Sequence, residues 1–258
     1  LLDADYHGSQ TGVFLIEYDC GKIVYKPRDL SICHLWNYFV KTCAPNYLKS
    51  VKCLTKDEYG YMEYIENVRP DPAKVNEYFF NWGAFLAACC IFRSSDLHDN
   101  NIFICNNSPL FIDMETLITP SSIWEKKNKI DVFEYLIKQG LLSSYHSVNQ
   151  KSFLSNKYGY LMKEARRLCE NECIDQSQII KQVQEGFLKV MNHMICSRES
   201  LINEFRKPKY HHIPVRFLVR DTKIYYRLLE SGYRKSGPSN FIIFERELDR
   251  LHLAFKKF

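Results

Sequence analysis

Apolar and polar residues alternate in short runs along the N-terminal part of the chain, the pattern of strands with one buried face. Residues 12–18 and 22–26 are the first two such runs, separated by Asp19, Cys20 and Gly21, which suit a hairpin turn. The period then lengthens to that of an amphipathic helix over residues 31–41, before two further strand runs at residues 51–55 and 61–65. Asp71 and Pro72 supply an N-cap and a first-turn proline for a long helix carrying Val75, Tyr78, Phe79, Trp82, Phe85 and Leu86. Downstream the pattern is mainly helical, most clearly over residues 176–205, until residues 213–219 read as a strand with Val215, Phe217 and Val219 on one face. The expected class is α+β, with a β-rich lobe over residues 1–66 and a helical lobe over residues 67–258. No internal repeat or low-complexity tract interrupts this order.

Two polar clusters flank an apolar stretch in the middle of the chain: Asp96, Leu97, His98, Asp99, Asn100 and Asn101, then Asp113, Met114 and Glu115. A carboxylate and an amide on one loop, followed by a short hairpin that delivers two more carboxylates, point to phosphoryl transfer. Asp96 is placed to orient a substrate hydroxyl and accept its proton, Asn101 to ligate Mg²⁺, and His98 either to act directly or to brace the loop. Asp113 and Glu115, two apart in what reads as an extended segment, project to one side and suit the same ion. Taken singly these are ordinary loop and strand-end acids. The joint register of Asp96, Asn101 and Asp113 is what points to a site. The element order then fits a bilobal kinase-like fold, with nucleotide held between a nucleotide-binding lobe (1–66) and a catalytic lobe (67–258). In that scheme Lys26 reaches the phosphates from the end of the second strand, and Glu63 is a nucleotide-side residue at the crossover hinge, residues 63–66. Gly8 and Gly12 offer only a weak phosphate loop.

Composition narrows the partners. The 258 residues are 46% hydrophobic, enough to bury a sizeable core. The net charge is +5, with Lys and Arg scattered rather than massed, so an anionic ligand such as ATP is compatible and nucleic acid is not expected. The ten cysteines lack zinc spacing: Cys89 and Cys90 are adjacent, and Cys169 and Cys173 lie four apart on an expected helix. Reduced thiols in a cytoplasmic protein are the expectation. The longest apolar stretch, residues 79–92, is interrupted by Asn81 and Gly83 and falls short of the about 20 residues that span a bilayer. No membrane span or signal peptide is expected. The chain opens at Leu1 without an initiating Met, which suggests an excised or truncated piece.

Several short runs gain meaning jointly. Asp5, Tyr6 and His7 form an Asp-x-His motif, and Ile23, Val24, Tyr25, Lys26, Pro27 and Arg28 end a strand on Tyr-Lys-Pro-Arg. Asp96, Leu97, His98 and Asn101 follow, then Phe111, Ile112, Asp113, Met114, Glu115, Thr116 and Leu117, and finally Arg216 with Thr222. In these motifs, nearly end to end, the chain resembles the dehydratase domain of class II lanthipeptide synthetases. It departs from the family at Asn100, where Glu is usual, and at Ser9 and Gln10, which replace a glycine pair.

The resemblance implies a lipid-kinase-like fold and a two-step dehydration of a ribosomal precursor peptide. Ser and Thr would be phosphorylated with ATP and Mg²⁺, and the phosphate then eliminated, with ADP in support, to leave dehydroalanine or dehydrobutyrine. It implies catalytic roles for Asp96 and His98 in transfer, for Asp5 and His7, and for Arg216 and Thr222 in an elimination segment at residues 213–232, with metal at Asn101, Asp113 and Glu115 and phosphate contact at Lys26. Implied partners are a Ser/Thr-containing precursor peptide with its leader and a zinc-dependent cyclase domain or subunit, with no zinc in this chain. The residues themselves leave alternatives open. Arg216 and Arg220 lie opposite the apolar face of their expected strand, so one or both face a cleft or an ordinary solvated edge. Thr222 precedes the pattern Ile224, Tyr225, Leu228 and suits a helix N-cap, a position that can also receive phosphate. Two other functions fit the same motifs: a peptide or protein kinase without elimination, and a noncatalytic peptide-binding remnant of a synthetase.

Overall fold

In the computed structural model, residues 12–95, 97, 101–118 and 175–216 are described. The chain divides into two compact units, Leu1–Arg216 and Phe217–Phe258, and every described residue belongs to the first. The α+β class holds, strand-rich at first and helical later.

The early alternation folds as a four-stranded antiparallel sheet of β1 (Phe14–Tyr18), β2 (Gly21–Lys26), β3 (Cys53–Thr55) and β4 (Gly60–Glu63), in the order β1-β2-β4-β3. Tyr18 pairs with Gly21, which leaves Asp19 and Cys20 as the turn. On β2 the period of two sends Val24 and Lys26 inward, both buried, while Tyr25 joins Phe14, Tyr59 and Tyr61 in an aromatic cluster. Helix α1 (Ile32–Cys43) buries Ile32, Leu35, Trp36, Phe39, Val40 and Cys43, the i, i+3, i+4 stripe of an amphipathic helix. From its other side Asn37 binds both main-chain groups of Val51, donating to the carbonyl at 2.7 Å and accepting from the N–H at 2.8 Å. That fixes the path into β3.

Asp71 accepts from Ala73 N at 3.0 Å and caps a 3₁₀ turn, Pro72–Lys74, which runs into α2 (Val75–Phe92). Helix α2 is apolar on nearly every face and is correspondingly buried, with Phe85 meeting both Trp36 and Trp82, and Phe92 meeting Phe39. The helix expected over residues 176–205 is interrupted. It forms as α3 (Gln176–Cys196) and α4 (Arg198–Phe205), because Ser197 adopts φ −95° and ψ 5°, outside the helical region. The break lets Phe205 pack on Tyr38 and Phe92.

Helices α2 and α3 touch backbone to backbone. A Cβ on Gly83 would lie 2.0 Å from Val183 O, and one on Gly186 would lie 1.9 Å from Phe80 O, so each glycine makes room for the other helix. Asn81 and Gly83, the interruptions in the apolar stretch, are thus structural. Asn81 donates to Asn107 O at 3.1 Å, in the turn of a hairpin formed by β5 (Ile102–Cys105) and β6 (Ser108–Phe111). Asn106 and Asn107 have φ of 51° and 57°, the two left-handed residues of a type I′ turn. The crossover from β4 to α2 is pinned to the same hairpin: Val68 N donates to Ile104 O, Ile104 N to Asn67 Oδ1, and Asp71 N to Asn107 Oδ1. The strand expected over residues 213–219 does not form across residues 213–216, where the main chain instead makes an isolated contact with Glu115; residues 217–219 lie outside the described residues. Among the described residues no helix is long and apolar enough to cross a membrane.

Gly83→Ala and Gly186→Ala should each destabilise the chain by about 3 kcal/mol or more, since the added methyl meets carbonyl backbone rather than a mobile side chain. Urea denaturation measures this. Midpoints unchanged in both variants would show that the helices do not cross at these glycines.

Candidate functional site

Lys26 ends β2, Pro27 and Arg28 follow it directly, and their order builds one side of the site. Lys26 is 6% exposed because it shares the inward face with Val24, and its cross-strand neighbour, Gly60, has no side chain. Its ammonium donates to Ile112 O at 2.6 Å. Burial, then the adjacent positive charge of Arg28, pushes its pKa down to about 8, against the opposing pull of Asp113, Cys33 and Glu115. Proline fixes φ at residue 27, and Arg28 N donates to Lys26 O at 2.9 Å, closing a three-residue γ-turn. The turn directs Arg28 to the same segment that Lys26 touches. One arm of its guanidinium meets Asp113 Oδ1 at 2.5 Å and the other meets Glu115 Oε2 at 2.7 Å.

The facing segment follows β6. Ile112 N donates to Asn101 O at 2.9 Å, so a single residue joins Asn101 on one side to Lys26 on the other. Asp113 and Glu115 do not lie on an extended strand as the sequence suggested. Asp113, with φ −112° and ψ 77°, precedes a 3₁₀ turn at Met114–Thr116, and the two carboxylates converge because the forked guanidinium spans them. Arg216 reaches the same turn from the far end of the described chain, with its side chain 2.6 Å from Glu115 Oε1 and its N–H 2.8 Å from Glu115 O. Thr116 and Ser95 pair through two bonds, Ser95 N to Thr116 O and Thr116 Oγ1 to Ser95 O, while Ser94 Oγ donates to Leu117 O. The loop that leads to Asp96 therefore departs from beside the carboxylate turn.

The structure thus brings together Lys26, Asn101, Asp113, Glu115 and Arg216, which are widely separated in sequence. Glu63 falls elsewhere: it ends β4 opposite Ile23, and its carboxylate accepts from Lys52 N at 3.0 Å. Asp5, His7, Asp96, His98 and Thr222 lie outside the described residues. Arg28 is the residue whose part the sequence alone did not assign. The signal was the proline between two cations, which closes a tight turn and sets both on one side.

No three His, Cys, Asp or Glu side chains converge on a metal position among the described residues. Mg²⁺ does not require that, since it commonly takes one or two carboxylates and completes its shell with water and phosphate oxygens. Asp113 and Glu115 are hard oxygen donors that already converge on one cationic group, so the donor set fits such an ion.

The chain belongs to the family described as a domain of unknown function, DUF4135, whose model matches residues 1–154. It is also similar to the lacticin 481/lactococcin biosynthesis protein LcnDR2 of Lactococcus lactis subsp. lactis, at 25% identity over 143 residues. That match covers 50% of this chain and 15% of the relative, so the chain spans only a small part of that protein's length.

Because Lys26 holds its proton less tightly in the folded chain than when unfolded, the unfolded state binds more protons between about pH 8 and the ordinary value of 10.5, and stability rises with pH across that window. Compared with Lys26→Met, the wild type should gain on the order of 3 kcal/mol from the lower to the upper end. Chemical denaturation of both proteins at intervals from pH 7.5 to about 10.5 reads the difference. Parallel curves would mean that Lys26 is not buried as a cation.

Proposed function

We propose that this chain acts in lanthipeptide biosynthesis, as the part of a modifying enzyme that phosphorylates Ser and Thr of a precursor peptide and then eliminates the phosphate. The observation that carries this reading is the meeting of Lys26, Asn101, Asp113, Glu115 and Arg216 around Ile112 and the turn that follows it. The similarity to a protein of lacticin 481/lactococcin biosynthesis supports the substrate class.

In this reading Lys26 meets nucleotide phosphate, with the kinase-like, lipid-kinase-like lobe order placing residues 1–66 on the nucleotide side. An arriving anion opposes the burial that depresses the Lys26 pKa, so the side chain binds it as the full cation. Asn101, Asp113 and Glu115 hold the divalent cation, which when bound neutralises phosphate charge. Asp96 accepts the hydroxyl proton of the peptide, and His98 orients the loop or the substrate. Asp5, His7, Arg216 and Thr222 serve the elimination. Arg216 stabilises departing phosphate from a position already anchored to the carboxylate turn through Glu115. A separate cyclase domain or subunit would close the thioether rings, and the reaction takes place in the cytoplasm, where ATP is supplied.

Calorimetry tests the nucleotide site. Wild type should bind ATP at least tenfold more tightly with Mg²⁺ than without, and Asp113→Asn should lose that dependence while keeping its circular dichroism spectrum. Equal affinities in both proteins under both conditions would remove the metal assignment.

Mass spectrometry of a Ser/Thr-rich precursor peptide incubated with ATP, ADP and Mg²⁺ separates the possible reactions. Loss of water supports the dehydratase, gain of phosphate a kinase, and an unchanged mass a binding remnant. Arg216→Ala should still phosphorylate, more slowly because Glu115 loses a partner, but should accumulate phosphopeptide, because the Lys26 and Asp113 contacts do not run through it. Dehydration by that variant at the wild-type rate would take Arg216 out of the elimination step.

A further inference from the structure

Arg28 is the centre of the carboxylate turn, although neither reaction step proposed above requires it. Its guanidinium bridges Asp113 Oδ1 and Glu115 Oε2, one arm on each, at 2.5 Å and 2.7 Å. Arg28 and Glu115 side chains are 16% and 15% exposed, so these pairs are largely removed from solvent and are not the weak surface kind. The γ-turn at Pro27 sets the direction in which the Arg28 side chain leaves the backbone, and its two ion pairs hold the guanidinium there. Both carboxylates therefore meet a fixed organic cation at the position where their oxygens converge.

We infer that Arg28 is a positioning residue that occupies the cation position of the Asp113 and Glu115 pair and competes with the divalent metal for it. This rests on the assignment of that pair as metal ligands made above. Arg28 does two things in the metal-free chain: it keeps like charges at Asp113 and Glu115 from separating, and it holds them at a spacing that a single ion can bridge. Metal arrival must displace at least one of its two ion pairs. The guanidinium so released stands beside Lys26 and suits phosphate oxygens, which a guanidinium binds with two parallel N–H bonds. Occupancy by the metal alone is therefore weak, and anionic substrate favours it by giving Arg28 a replacement partner.

Lysine and methionine at this position separate bridging from charge. Arg28→Lys keeps the positive charge but cannot span two carboxylates, and Arg28→Met removes both. Mn²⁺, a paramagnetic substitute for Mg²⁺, is titrated without nucleotide and free ion is read by electron paramagnetic resonance. Wild type should bind it weakly, Arg28→Lys severalfold more tightly, and Arg28→Met tenfold or more, with each gain abolished by adding Asp113→Asn. Lys26→Met, which removes a neighbouring charge that bonds a carbonyl and not a carboxylate, should gain less than Arg28→Lys. Thermal melts with and without Mn²⁺ supply a second readout: the Arg28 variants lose stability without metal and recover it with metal. If Arg28→Met does not fold, Arg28→Lys carries the comparison. Unchanged or weaker Mn²⁺ binding in folded Arg28→Lys, with wild type binding Mn²⁺, overturns the competition and leaves the metal pair standing. No Mn²⁺ binding by any of the proteins overturns both.

Discussion

The end of β2 ties the sheet to the segment that carries the carboxylates, and the geometry of the site depends on that tie. Lys26 bonds the main chain of Ile112, Arg28 bonds the side chains of Asp113 and Glu115, and Ile112 in turn bonds Asn101. A main-chain carbonyl and two carboxylates are thereby held from a strand more than eighty positions away in sequence. Removing either cation would leave buried or half-buried acceptors with too few donors, which costs more than the bond itself contributes. The site is therefore also a structural joint, and chemistry and stability are coupled at the same residues.

Behind the joint, close helix contact keeps the hairpin from shifting. The reciprocal glycines Gly83 and Gly186 bring α2 and α3 within backbone contact, which leaves α2 almost wholly enclosed. Enclosure would strand any polar side chain on α2 that lacked a partner, and Asn81 meets this by donating to Asn107 O in the hairpin turn. The same Asn107 accepts from Asp71 N, at the start of the 3₁₀ turn that leads into α2. One turn residue thus registers the crossover, the buried helix and the hairpin against one another. Since β6 leads directly into Ile112 and Asp113, that register sets where the carboxylates stand.

Local chemistry made much of this legible in advance. Strand alternation gave the first hairpin, the Asp71 and Pro72 pair gave the start of the long helix, and the spacing of polar clusters put Asn101 and Asp113 at the two ends of a short hairpin. The departures occur where a tertiary contact overrides local pattern. Residues 213–216 alternate like a strand, but Arg216 is taken by Glu115 and no strand among the described residues pairs with them. Residues 176–205 keep a helical period through Ser197, whose break becomes intelligible only from the docking of Phe205 on Tyr38 and Phe92. Asp113 and Glu115 do share a side, but not the side of a strand. The alternation of the sequence suggests strand geometry, whereas the convergence comes from Arg28, a partner far away in sequence.

The order of the two cations at the end of β2 has its own physical logic. Lys26 points into a buried space where, among the described residues, it bonds one carbonyl, and a compact ammonium can meet that acceptor and titrate if burial demands it. A guanidinium in that place would bring a fork of donors to one oxygen and could not relieve the burial by losing its proton. Arg28 faces the opposite requirement, because Asp113 and Glu115 must be satisfied together, and a lysine there could reach only one of them well. Pro27 separates the two and turns the chain so that both face the same segment. Each cation thus matches the acceptors it meets, and exchanging them would unsatisfy both ends of the joint at once.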